Sequence, residues 1–209
     1  MFKERSPLAE SLAAGARIGA TGVTGASGAT VRLGELQDWC LVQVGSYAHS
    51  LPALDAAISP LIGAPLPQSP RAATQSGAHR LYRIAADQYW IVTRDRQLPE
   101  ALALAVPGEV GSVLDLSHAR VRLALTGPGV RTLLAKVVSV DLRPQSFAVG
   151  QFVQTGLHHT GVLLERLAPE HFELYVLRTY ALSIWEWLTD AAGPLGFAIV
   201  GTNAKEQST

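Results

Sequence analysis

The chain has 209 residues, with 17 basic against 17 acidic and a pI near 7.0, so no net field draws in nucleic acid or an acidic membrane. Its single cysteine excludes an internal disulfide framework and any multi-cysteine metal site. No apolar stretch approaches the roughly 18 residues that span a membrane, and Glu4 and Glu10 interrupt the N-terminal stretch that a signal peptide would need apolar. A cytoplasmic protein is expected. Charged residues make up 16%, against about 25% in typical soluble proteins. Either alanine richness or a surface partly covered by partners accounts for that shortfall.

Taken in chain order, Ser6-Pro7 with Glu10 in the first turn predicts a short capped helix. Residues 15–29 are rich in Gly, Ala and Thr and read as a flexible connector. Strands are expected over 30–36 and 39–46, the second holding Cys40 as a buried structural thiol. A helix over 52–61 follows. Residues 60–78 then carry four prolines and little periodicity; that exceeds the usual loop length, so the segment is mobile or ordered against something else. Strands at 80–85 and 89–93 precede a helix that follows Pro99 and ends before Pro107. Further strands are expected at 110–115 and 120–125, a helix from Gly127 to about Val138, and strands at 151–157, 162–167 and 172–177. A helix over 180–192 and a closing strand at 197–200 complete the chain.

Strands and helices alternate in both halves, which defines an α+β fold of mostly antiparallel sheets with packed helices. The expected organisation is an N-terminal arm and short helix (1–29), two similar α+β halves (30–108 and 109–201) and a C-terminal tail (202–209). No residue-level repeat confirms a duplication.

The segment "LTGPGVRTLLAK" raises the question of a phosphate site, because a glycine-rich turn here lies between a strand and a helix. A P-loop needs Lys followed by Ser or Thr at the helix start, yet Val130, Arg131 and Thr132 follow Gly129. A dinucleotide fingerprint needs a small residue where Thr132 stands and an acidic one further on than Asp141. The preceding strand alternates, with Val121, Leu123 and Leu125 facing one way and Arg120, Arg122 and Ala124 the other. A doubly buried Rossmann strand would be apolar throughout. Gly127 and Gly129 are therefore turn glycines, with Pro128 starting the helix.

Few residues carry chemistry. His158 and His159 sit together before Thr160-Gly161, as in a hairpin turn, and no ligand cluster with metal spacing accompanies them. His118 falls in a tight turn between strands, beside Ser117 but without a base and orienting group to make a nucleophile. His171 stands at a strand entry, and Glu170 and Glu173 read as solvated. No catalytic, cofactor-binding or metal-binding residue is assigned.

The last helix is the most informative segment. At 100° per residue Tyr180, Ile184, Trp187, Leu188 and Ala191 form one apolar face, opposite Ser183, Glu186 and Asp190. Trp185, Ala181 and Leu182 extend the apolar sector beyond that stripe. Trp187 is thus expected in the core, with Trp185 at the core edge or on a partner surface. Trp185, Leu182 and Ala181 are the candidates for a partner interface.

The segments "DLSHARVRLALTGPGVRTLLAK", "DLRPQSFAVGQFVQT" and "ELYVLRTYALSIWEWLTDAA" together resemble the gamma subunit of heterotetrameric sarcosine oxidase. Leu-Thr-Gly-Pro-Gly is shared more loosely with the glycine cleavage T-protein. The resemblance implies a folate-binding, aminomethyltransferase-like fold and an accessory subunit of a complex with alpha, beta and delta partners. That complex oxidatively demethylates sarcosine to glycine with tetrahydrofolate and oxygen. FAD, FMN, NAD, tetrahydrofolate and zinc are implied in the partner subunits and none in this chain. The small subunit of N-methylglutamate dehydrogenase is similar, and a stand-alone folate-binding protein is the rival from another class.

Overall fold

The computed structural model describes residues 6–13, 29–47 and 49–200. The expected connector over 15–29 and the tail over 202–209 lie, almost entirely, outside the described residues. The described chain divides into two units, one built from residues up to 37 together with those from 120 onward, the other from residues 38–119.

The first unit starts with a short helix, α1 (Ala9–Ala13), and strand β1 (Val31–Leu36). The Ser6 hydroxyl accepts the Leu8 amide, capping α1, and donates to Glu35 on β1. After residue 119 the chain returns with β7 (Arg120–Thr126), α4 (Val130–Val137), β8 (Phe152–Leu157), β9 (Thr160–Ala168), β10 (His171–Leu177), α5 (Ala181–Ala192) and β11 (Phe197–Ile199). The strands form one sheet in the order β11-β1-β7-β10-β9-β8, antiparallel except for the β1–β11 pair. Period-2 alternation sends Leu33, Leu123, Leu125, Phe172, Leu174, Val176, Val162 and Leu164 to one face. There they share a core with Leu133 and Leu134 of α4 and Ile184, Trp185 and Leu188 of α5.

The second unit holds β2 (Cys40–Ser46), α2 (Leu51–Ile62), β3 (Thr74–Ser76), β4 (His79–Arg83), β5 (Gln88–Thr93), α3 (Leu98–Ala105) and β6 (Gly111–Asp115). Its sheet runs β3-β4-β5-β2-β6 with every pair antiparallel. Val42, Val44, Leu81, Tyr89 and Ile91 pack against Leu54, Ile58 and Ile62 of α2 and Leu98 and Leu102 of α3. Both helices carry proline in the first turn, where a missing N–H costs nothing. Gly63 closes α2 at φ 70°, a left-handed cap that glycine reaches without strain.

The proline-rich stretch is ordered against its own unit. Leu66 is buried, its amide donates to Asp55 of α2 at 2.7 Å, and the Arg83 guanidinium donates to the Gln68 and Ala86 carbonyls. Three of its residues form β3 on the edge of β4.

The compact units differ from the expected halves. The boundary near 108 falls instead after residue 119, and β1 belongs with the later strands. Hydrogen bonding decides this. β1 pairs with β7 and β11, whereas β6 pairs with β2, and neither partnership is visible in local pattern.

Candidate functional site

The Gly-Pro-Gly turn is filled by the chain itself. Gly127 sits at φ 106°, and its amide donates to the Glu170 carbonyl; the Gly129 amide donates to the Thr30 carbonyl at 2.9 Å. A Cβ at Gly127 would lie 2.5 Å from the Thr30 carbonyl oxygen, and one at Gly129 equally close to its hydroxyl. Glycine is required here for the close approach of Thr30, just before β1; Thr30 fills the volume a phosphate would need, and Thr30 and Glu170 take the donors. The turn does not fit a nucleotide.

The histidines are separated by their elements. His158 and His159 form the two-residue connection between β8 and β9, where Leu157 pairs with Thr160. His158 adopts φ 53°, in keeping with a primed hairpin turn. His118 is exposed in the connection before β7, and His171 opens β10. Ser117 donates to Asp115 and accepts the Leu41 amide, so its hydroxyl serves the turn. Cys40 is buried in β2. Among the described residues no three His, Cys, Asp or Glu side chains converge as metal ligands, and no helix is long and apolar enough to cross a membrane.

Glu173 is not solvated. It is 3% exposed at the centre of the first sheet, where Arg122 donates through Nε and Nη2 to a single carboxylate oxygen at 2.7 Å. Tyr175, opposite Arg122 in the β7–β10 register, stacks under the guanidinium at 5.5 Å. Glu165, directly across from Glu173, is also buried. The alternation of β7 and β10 was legible, but a short-range pattern cannot reveal that their second face is buried too.

Two further cations feel burial. Arg166 donates to the Phe147 and Pro169 carbonyls and lies over the Phe172 ring; burial, with Arg131 nearby, lowers its pKa. Burial likewise lowers that of Arg120. On the surface, hydrogen bonds from Arg143 and then Ser146 hold the Asp141 carboxyl well below the usual range.

On α5 the expected faces are rotated. Trp185 (3% exposed) and Ala181 (0%) lie in the core, and Trp187 (44%) lies outside it. The buried stripe Ala181, Ile184, Trp185, Leu188 and Ala192 is turned by about 70° from the expected stripe, which is centred near Ala191. Of the three interface candidates, only Leu182 is exposed, at 46%. The Trp187 indole instead stacks flat on the His158 ring, centroids 4.4 Å apart. It borders a shallow hollow of about 260 Å³ with Lys136, Val137, Asp190 and Ala191.

The antiparallel sheets and packed helices define a chain of the aminomethyltransferase-like fold. A glycine cleavage system aminomethyltransferase T from Bartonella henselae superposes with TM-score 0.59 at 18% identity, over 82% of this chain and 48% of that one. The chain belongs to the sarcosine oxidase, gamma subunit family, whose sequence model matches residues 45–194. Sarcosine oxidase subunits gamma from Corynebacterium sp. (strain P-1) and from Arthrobacter sp. are each 31% identical over 193 residues, 90% of this chain and 89% of theirs. A chain of the heterotetrameric sarcosine oxidase from Corynebacterium sp. U-96, solved with pyrrole 2-carboxylate, has TM-score 0.79 and 26% identity, over 92% of this chain and 96% of that one.

Proposed function

We propose that this chain is the non-catalytic gamma subunit of a cytoplasmic, heterotetrameric sarcosine oxidase. In that assembly sarcosine, tetrahydrofolate and oxygen give glycine, methylene-tetrahydrofolate and hydrogen peroxide. Flavins, NAD, folate and zinc are assigned to the alpha, beta and delta partners. The observation that carries the reading is agreement with gamma subunits over 90% of this chain in sequence and 92% in fold. The filled Gly-Pro-Gly turn supports an accessory role, since the most site-like turn of the chain serves packing. The relatives' names favour sarcosine over N-methylglutamate as the substrate of the complex. A stand-alone folate enzyme is the weaker reading, because this chain spans only about half the length of the aminomethyltransferase.

The test is direct. Purified alone with sarcosine, tetrahydrofolate and oxygen, the chain yields neither peroxide nor formaldehyde above a blank, while the complex isolated through a tag on it turns over. Reproducible turnover that tracks with the isolated chain overturns the accessory role.

A further inference from the structure

We infer that the outer edge of β6 is a strand-addition site that takes an extended segment of a partner subunit; the inference rests on the subunit reading above. β6 ends the five-stranded sheet, with β2 as its only strand neighbour among the described residues. Its register fixes which backbone groups are free. Leu116 donates to the Leu41 carbonyl, and Tyr47 donates to Val110. With Val42 opposite Asp115, the bonded pairs are therefore Leu114 with Gln43 and Ser112 with Gly45. Val113 and Asp115 then point their N–H and C=O groups away from β2.

Such groups recognise one chemistry, the backbone of another extended chain. Natural edges are commonly guarded by charges, proline or a bulge; Gly-Ser-Val-Leu-Asp has no lysine or proline, its register with β2 shows no bulge, and its one charge, Asp115, stands at the end of the strand. The side chains describe the occupant further. Trp90, Gln43 and Leu114 form one cross-strand row, in which the Trp90 indole donates to Gln43 and Leu114 ends the row 54% exposed. An incoming strand with an apolar residue beside Leu114 extends that row. Asp115 is exposed at the far end of the edge and suits a basic residue beside it.

The experiment reads amide hydrogen exchange in the free chain and in the complex purified through it. The Val113 and Asp115 amides should exchange about ten-fold or more slowly in the complex than in the free chain, while Ser112 and Leu114 are protected in both. Val113→Pro removes an outward N–H while leaving the β2 ladder intact. It should weaken assembly by about ten- to a hundred-fold, the worth of an interfacial hydrogen bond with its partner left unpaired. Equal exchange at Val113 in both states overturns strand addition even if Val113→Pro fails to fold. Concentration-dependent protection in the free chain assigns the edge to a second copy and overturns the partner assignment. If the wild-type chain captures no subunits at all, the subunit reading fails and this inference with it.

Discussion

One buried polar group in each unit makes a contrast, Glu173 in the first and Tyr89 in the second. In the first unit the buried Glu173 meets Arg122 at 2.7 Å, with Tyr175 stacked beside the pair. In the second unit the fully buried Tyr89 hydroxyl has no hydrogen-bond partner. Removing one partner of a buried charge pair strands the other, whereas removing an orphaned hydroxyl strands nothing and relieves a desolvation cost. The same kind of substitution should therefore have opposite signs in the two units.

Plain packing sets the upper limit for that contrast. Trp185→Ala in the core of the first unit should cost about 3–5 kcal/mol, the range for a core aromatic, while Trp187→Ala on the same helix should cost under about 1 kcal/mol. Thermal melts of the two variants check this, and a loss for Trp187→Ala equal to or larger than that for Trp185→Ala would overturn the placement of Trp185 as the core tryptophan of α5. Next in size, Glu173→Gln should destabilise by about 2–3 kcal/mol, somewhat below a fully buried pair because Arg122 keeps part of its guanidinium exposed. Urea titrations that leave the midpoint unmoved would remove the ionic half of the comparison.

Tyr89→Phe should give the smallest effect, a change between zero and about 1 kcal/mol in favour of the variant at neutral pH. It also has a pH signature. Burial raises the Tyr89 phenol above its ordinary value, with Arg83 partly opposing. The stability tied to its protonated form is complete below about pH 10. It is lost as pH rises from there through the raised folded value, because the unfolded chain ionises first. The advantage of the phenylalanine variant should widen above about pH 10, and parallel stability curves there would show the hydroxyl to be solvated.

Local pattern alone determined most elements. Alternation and short apolar runs placed each strand from β1 to β11 apart from the short β3, and the proline and glycine punctuation placed α2, α3 and α4 within a residue or two. It also settled the Gly-Pro-Gly turn, because the missing Lys and the alternating strand before it are chemical facts about neighbours. The three sequence segments that resemble a gamma subunit pointed to the family that the comparisons then showed.

Tertiary structure decided what depends on partners distant in the chain. The docking of α5 chose Trp185 over Trp187, since an apolar sector wider than one core stripe leaves its rotation to whatever it packs against. Glu173 looked solvated beside Glu170 until β7 brought Arg122 to it across 51 residues. Residues 60–78 have no period of their own and take their order from Asp55 and Arg83. β1 joined the later strands and β6 the earlier ones because hydrogen-bond pairing, unlike pleat or helical period, carries no signature in the residues on either side.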